Sequence, residues 1–137
     1  TLVAANIQNT GSGAPTVKNS SGTEIGQFAR AWVCMEAFGT VTIVDDFNVS
    51  TITDESTGHF IINFDNNLAN TNYALIASAT NYTNDDTIAS VAVDASNAYT
   101  NSIGGVDLKS TSQVRIGCAG GSTAYDPREL YAVVFGD

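Results

Sequence analysis

The sequence predicts an all-β, antiparallel domain: a β-sandwich or jelly-roll-like fold of about eight strands behind an extended N-terminal arm. Three observations predict it. Charged residues make up only 14% of the chain, and their place is taken by Asn, Thr, Ser and β-branched residues that suit strands and turns better than helices. Apolar and polar residues alternate with a period of two, and no stretch holds a helical period. Turn signals built on Gly, Asn, Asp and Ser recur roughly every 8–12 residues, the spacing of sandwich or barrel strands.

At 137 residues the chain is one domain's worth and can bury a core without disulfides. Residues 1–27 differ from the rest. "NIQNTGSGAPTVKNSSGTEIGQ" holds five glycines or prolines and no sustained period, so it reads as an arm with one short strand near 16–19. Such an arm buries little of itself and is ordered only against another surface. Residues 28–137 form the strand-bearing domain. "ARAWVCM" (29–35) is a strand, "EAFGT" a turn, and "VTIVDDF" (41–47) a second strand. In "DDFNVSTITDESTGHFIINFD" (45–65), Phe47 and Val49 fall on one face and Asn48 and Ser50 on the other. After the turn "TDESTG", Phe60, Ile62 and Phe64 alternate with His59, Ile61 and Asn63, which completes a hairpin. Further strands follow at 72–79 ("NYALIASA"), 88–95 ("IASVAVDA"), 112–119 ("SQVRIGCA") and 129–136 ("ELYAVVFG").

Three strands carry more than fold. "ARAWVCM", "YALIASA" and "LYAVVF" are apolar on both faces, whereas a strand of a two-layer antiparallel domain needs only one. Their outer faces are covered either by the arm or a long loop, or by neighbouring copies of the chain. The aromatics Trp32 and Tyr131 favour neighbouring copies. Arg30, Trp32 and Tyr131 are therefore candidate intersubunit contacts, against the alternative of ordinary core and edge positions.

The net charge of −9, with five basic residues, argues against nucleic acid and anionic lipid, because each phosphate contact needs a cation. No apolar run approaches the roughly 20 residues of a membrane span. The start "TLVAANIQNTGSG" lacks the basic and apolar blocks of a signal peptide. Cys34 and Cys118 read as small buried hydrophobes rather than a disulfide. The "NSS", "NVS" and "NYT" sites at Asn19, Asn48 and Asn81 read as chance matches to a glycosylation acceptor in so Asn- and Thr-rich a chain.

Chemistry is hard to find. The one histidine, His59, stands inside a strand, and no nucleophile elbow is present. One His and two distant Cys do not make a zinc site. The acidic pairs Asp45–Asp46, Asp54–Glu55 and Asp85–Asp86 lie at turns and read as solvated, since neighbours on a strand point to opposite faces. They also lack the spacing of a calcium loop. The chain is expected to be no enzyme and to need no cofactor or metal.

The block "ARAWVCMEAFGTVTIVDDFNVSTITDESTGHFIINFDNNLANTNYAL", with the lead-in "PTVKNSSGTEIGQFARAW", resembles a domain of tailed-bacteriophage virion surface proteins. The likeness runs from Pro15 to Leu75. It is a structural signature with no catalytic residue to carry over, and the turn "DESTGHF" departs from the family's usual one in charge. The resemblance implies a β-sandwich virion component, commonly a homotrimer, assembled in the bacterial host cytoplasm and carried on the outer surface of the virion. Its partners would be copies of itself and the major capsid protein, or the proteins of a fibre or tail. Two roles compete. A capsid decoration (cement) protein fits a chain that reads as complete at this length and whose arm suits lying across a shell. The receptor-binding tip of a tail or head fibre fits the polar loops 80–87 and 120–128. There Tyr82, Asp85, Asp86 and Tyr125 are candidate contacts to a host-surface glycan. A free-standing bacterial lectin or adhesin module is the outside reading.

Overall fold

The computed structural model describes residues 15–80, 89–93, 109–120 and 123–136, and among these the chain is all-β and antiparallel. Eleven strands follow in order: β1 (Thr16–Lys18), β2 (Glu24–Gln27), β3 (Ala29–Glu36), β4 (Thr42–Phe47), β5 (Val49–Ser56), β6 (His59–Phe64), β7 (Ala74–Ala79), β8 (Ala89–Val93), β9 (Gln113–Gly120), β10 (Thr123–Ala124) and β11 (Glu129–Phe135). One sheet has the order β4-β3-β11-β7. A second runs β10-β9-β6-β5, with β8 also paired to β9. The count exceeds the expected eight because the arm contributes two short strands and the 120–128 loop contributes β10.

The two sheets share one core. Ala31, Val33 and Met35 of β3 and Leu130, Ala132 and Val134 of β11 come from the first sheet. Phe60, Ile62 and Phe64 of β6 and Val114, Ile116 and Cys118 of β9 come from the second. Each set is spaced by two, so the alternation visible in the sequence is what places them all on one side of their strands. The reading of Cys118 as a small buried hydrophobe holds at 1% exposure, whereas Cys34 is half-buried on the opposite side of β3; both are free thiols.

The expected hairpin at 45–65 needs one correction. Phe47 and Val49 do not share a face of one strand. The chain breaks at Asn48, whose φ of 58° is left-handed, and crosses there from β4 in one sheet to β5 in the other. Phe47 is left 53% exposed while Val49 is buried in the core. The Asn48 side chain holds this corner: Nδ2 donates to the Arg30 and Asn66 carbonyls, and Oδ1 accepts from the Asn66 backbone at 2.7 Å. A short amide tolerates the left-handed region because it can bond locally in this way. Beyond the corner, β5 and β6 pair as expected, joined by a turn at Thr57 and Gly58 that is tighter than the sequence suggests.

Tyr73 closes the core just ahead of β7. Its ring meets Phe64 edge-on at 6.0 Å, and its hydroxyl donates to the carbonyls of Gln113 (3.0 Å) and Ser110 (3.2 Å). The Lys109 ammonium lies over the ring and donates to the Tyr73 carbonyl. Burial pushes the phenol up to about 12, because a phenolate would lose its water. A pKa raised on folding contributes stability that is fully present below the unfolded value of 10 and is lost as pH rises towards about 12. Tyr125, also pushed up to about 12 by burial and then by the neighbouring Cys118, adds to the same window. Tyr73→Phe is therefore expected to cost about 1–3 kcal/mol near neutral pH, where the Ser110 carbonyl loses this donor and the Gln113 carbonyl keeps its bond from the Ser110 amide. It should also flatten the alkaline fall of stability. Urea midpoints measured across that range check it, and identical alkaline slopes for wild type and variant would contradict it.

Residues 15–27 are more ordered than an arm without period suggests. Strand β1 matches the one expected near 16–19, and it pairs with β2 around a turn in which Asn19 Oδ1 accepts from the backbone of Ser21 and Thr23. Among the described residues the two strands form a sheet of their own.

Candidate functional site

One row of the outer face of the four-stranded sheet is apolar from edge to edge. Trp32 stands opposite Phe47 on one side and Val133 on the other, and Val133 stands opposite Ile76. These four residues form one row that crosses β4, β3, β11 and β7. In the adjacent row, Cys34 lies between Asp45 and Tyr131, with Ser78 beyond. A shallow groove of about 320 Å³ runs between Trp32, Cys34, Tyr131, Val133 and Ile76. Phe47, Ile76 and Tyr131 are 53%, 60% and 41% exposed, so the apolar surface implied by the strand patterning is open to solvent in the single chain.

A β-bulge aligns the row. Between Cys34 and Met35 the register with β4 shifts, so that Ile43 faces the core opposite Met35 while Asp45 and Phe47 face outward. A strict two-residue period would put Ile43 and Phe47 on one face, and the extra residue, Val44, separates them. Two of the three candidate contact residues, Trp32 and Tyr131, lie on this face in adjacent rows and line the same groove. Arg30 is two residues before Trp32 at the end of β3, half-buried, with its carbonyl bonded to Asn48. The Tyr131 hydroxyl donates to Glu129, and that hydrogen bond is the main cause raising its pKa.

Of the expected ligand-loop residues, Tyr82, Asp85 and Asp86 lie outside the described residues. Tyr125 is described, but it is less open than the polar sequence around it implies. It is half-buried against the core, with its hydroxyl 3.4 Å from the Thr80 carbonyl. It borders a second cleft of about 430 Å³ at one end of the domain, together with Phe38, Gly39, Thr57 and Asp126. Phe38 is 59% exposed there, and Asp126 is fixed by accepting the Gly58 amide at 2.6 Å.

The acidic turns divide. Asp45 and Asp46 cap their own corner, with Asp45 Oδ1 accepting the Asp46 amide and Asp46 Oδ1 accepting that of Val49. Glu55 departs from the expectation of a solvated turn: it forms an ion pair with Arg115 (Nε–Oε2 2.6 Å), and Arg115 is only 5% exposed. A bulge between Asp54 and Ser56 turns Glu55 towards β9. The one sequence signal for this pair is a lone arginine inside the apolar strand "QVRIGCA", since a buried cation needs an acid. His59 is tied to its own turn, with Nδ1 at 2.8 Å from the Thr57 carbonyl. Among the described residues no three His, Cys, Asp or Glu side chains converge as a metal site, and no helix is long and apolar enough to cross a membrane. No family model, curated protein or solved structure matches this chain.

Proposed function

We propose that this protein is a non-enzymatic structural component of a tailed-phage virion, a capsid decoration protein that assembles as a homotrimer on the outer capsid surface. In this reading its two sheets are the halves of a jelly-roll-like β-sandwich. The observation that carries the assembly part is the Phe47–Trp32–Val133–Ile76 row. An exposed apolar row spanning a whole sheet marks a surface for another molecule, and three copies around one axis cover one another. The phage part is supported by the resemblance between Pro15 and Leu75. The engagement of His59 by its own turn and of Glu55 by Arg115 supports a non-catalytic role.

A second reading, the receptor-binding tip of a fibre, is favoured by the end cleft. There an exposed aromatic ring (Phe38), a second ring (Tyr125) and a held carboxylate (Asp126) suit the apolar faces and hydroxyls of a sugar. Co-sedimentation of the labelled protein with capsids lacking it, and in parallel with host cells, separates the two. Saturable binding to capsids alone is the expected result. Binding to cells alone, abolished by Phe38→Ala, would replace decoration with receptor recognition.

A further inference from the structure

We infer that the N-terminal hairpin β1–β2 of one copy docks on the outer face of the β4-β3-β11-β7 sheet of a second copy; this rests on the assembly reading above and names the segment that makes the contact. The hairpin forms a sheet of its own, and Val17, Ile25 and the adjoining Phe28 are 43%, 64% and 44% exposed. Two strands this short do not hold together in water without a surface to pack on.

The hairpin cannot readily serve its own sheet. Strand β2 ends at Gln27 and β3 begins at Ala29, so Phe28 alone links them. Folding back over β3 requires a reversal, for which the tightest hairpin connection uses about two residues. A chain that runs on through Phe28 without such a reversal leaves the hairpin beyond the start of β3, where it can reach a neighbour.

Charge selects the same arrangement. Residues 1–28 contain one lysine (Lys18) and one glutamate (Glu24) and are neutral by side-chain charge. Residues 29–137 contain the remaining four basic and 13 acidic residues, so the whole −9 lies on the domain body (4 − 13). Pressing two such bodies together face to face opposes like charge, while a neutral arm laid on the face of the next body does not. Arm and face are different surfaces, so the contact is head-to-tail, and a closed ring uses every arm and every face once.

The test is the solution mass of the full chain and of Val17→Asp/Ile25→Asp, whose changes lie in the hairpin and outside the core. The expected result is a multiple of 14.3 kDa for the wild type and a single chain for the variant, with unchanged circular dichroism. An unchanged oligomer in the variant overturns the arm contact and leaves the assembly reading standing, whereas a monomeric wild type overturns both. An independent arm uses Ile25→Cys and a flexible bis-maleimide, which adds to thiols without an oxidant. Linkage to Cys34 of another chain should give covalent dimers and trimers above the wild-type background that disappear on Cys34→Ser. Products confined to the single-chain mass would overturn the proposal.

Discussion

Replacing Gly58 with alanine should destabilise the domain by about 3 kcal/mol or more, from the left-handed backbone and the clash together. Gly58 has a φ of +75°, and a Cβ built there would stand 2.5 Å from the Cys118 carbonyl oxygen, 2.9 Å from the Tyr125 nitrogen and 3.0 Å from the Ala124 Cβ. Two of those neighbours are backbone, fixed by the bonds that join the β5–β6 turn to β9 and β10. The Cys118 amide donates to the Gly58 carbonyl at 2.7 Å, and the Tyr125 amide donates to the Cys118 carbonyl. Making room for a methyl group therefore means separating strands. Gly39 supplies the comparison: its φ is +83°, but nothing lies within 4 Å of an added Cβ. Gly39→Ala should cost only the conformational part, about 1–2 kcal/mol. The gap between the two variants, read from urea midpoints at constant slope, measures the close packing at Gly58. Equal losses would mean that the turn yields.

Phe60→Ala should cost about 3–5 kcal/mol, the range for removing a large aromatic side chain from a packed core. Phe60 is fully buried on β6, which is paired to β5 on one side and β9 on the other, so its own strand is held in place and cannot shift to fill the space. Ile76→Ala is the contrasting change. Ile76 is 60% exposed in the single chain, so its fold energy should move by no more than about 0.5 kcal/mol. If that face is covered by another copy, Ile76→Ala weakens assembly without weakening the fold. Thermal unfolding of the dissociated protein separates the two effects, and a core-sized loss at Ile76 would contradict the assignment of faces.

Much of the architecture is legible in the sequence because strand physics is local. The two-residue period marks Phe60, Ile62 and Phe64 as inward. The same period marks β3, β7 and β11 as apolar on both sides, and that pattern alone locates the outer face. Trp32 and Tyr131 stand out on that basis and lie together on it. What is not legible depends on breaks in the period. Nothing in "DDFNVS" distinguishes one strand from two meeting at a left-handed asparagine. The corner exists because Asn48 bonds Arg30 and Asn66, each 18 residues away. The bulge that carries Phe47 outward and Ile43 inward is equally silent, since its cause is register against β3. The ion pair of Glu55 and Arg115 joins positions 60 apart, and only the unusual arginine hints at it. Tyr125 has the look of an open loop aromatic because the sequence around it is polar, yet packing against Cys118 and Thr80 draws it in.

In the proposed assembly the outer sheet face is covered by other copies of the same chain. Sedimentation equilibrium of the wild-type protein at micromolar concentration tests it most directly, with Trp32→Asp run alongside. The expected mass is three times 14.3 kDa for the wild type and 14.3 kDa for the variant, which keeps its β-sheet circular dichroism. A wild type that sediments as a single 14.3 kDa chain would contradict it.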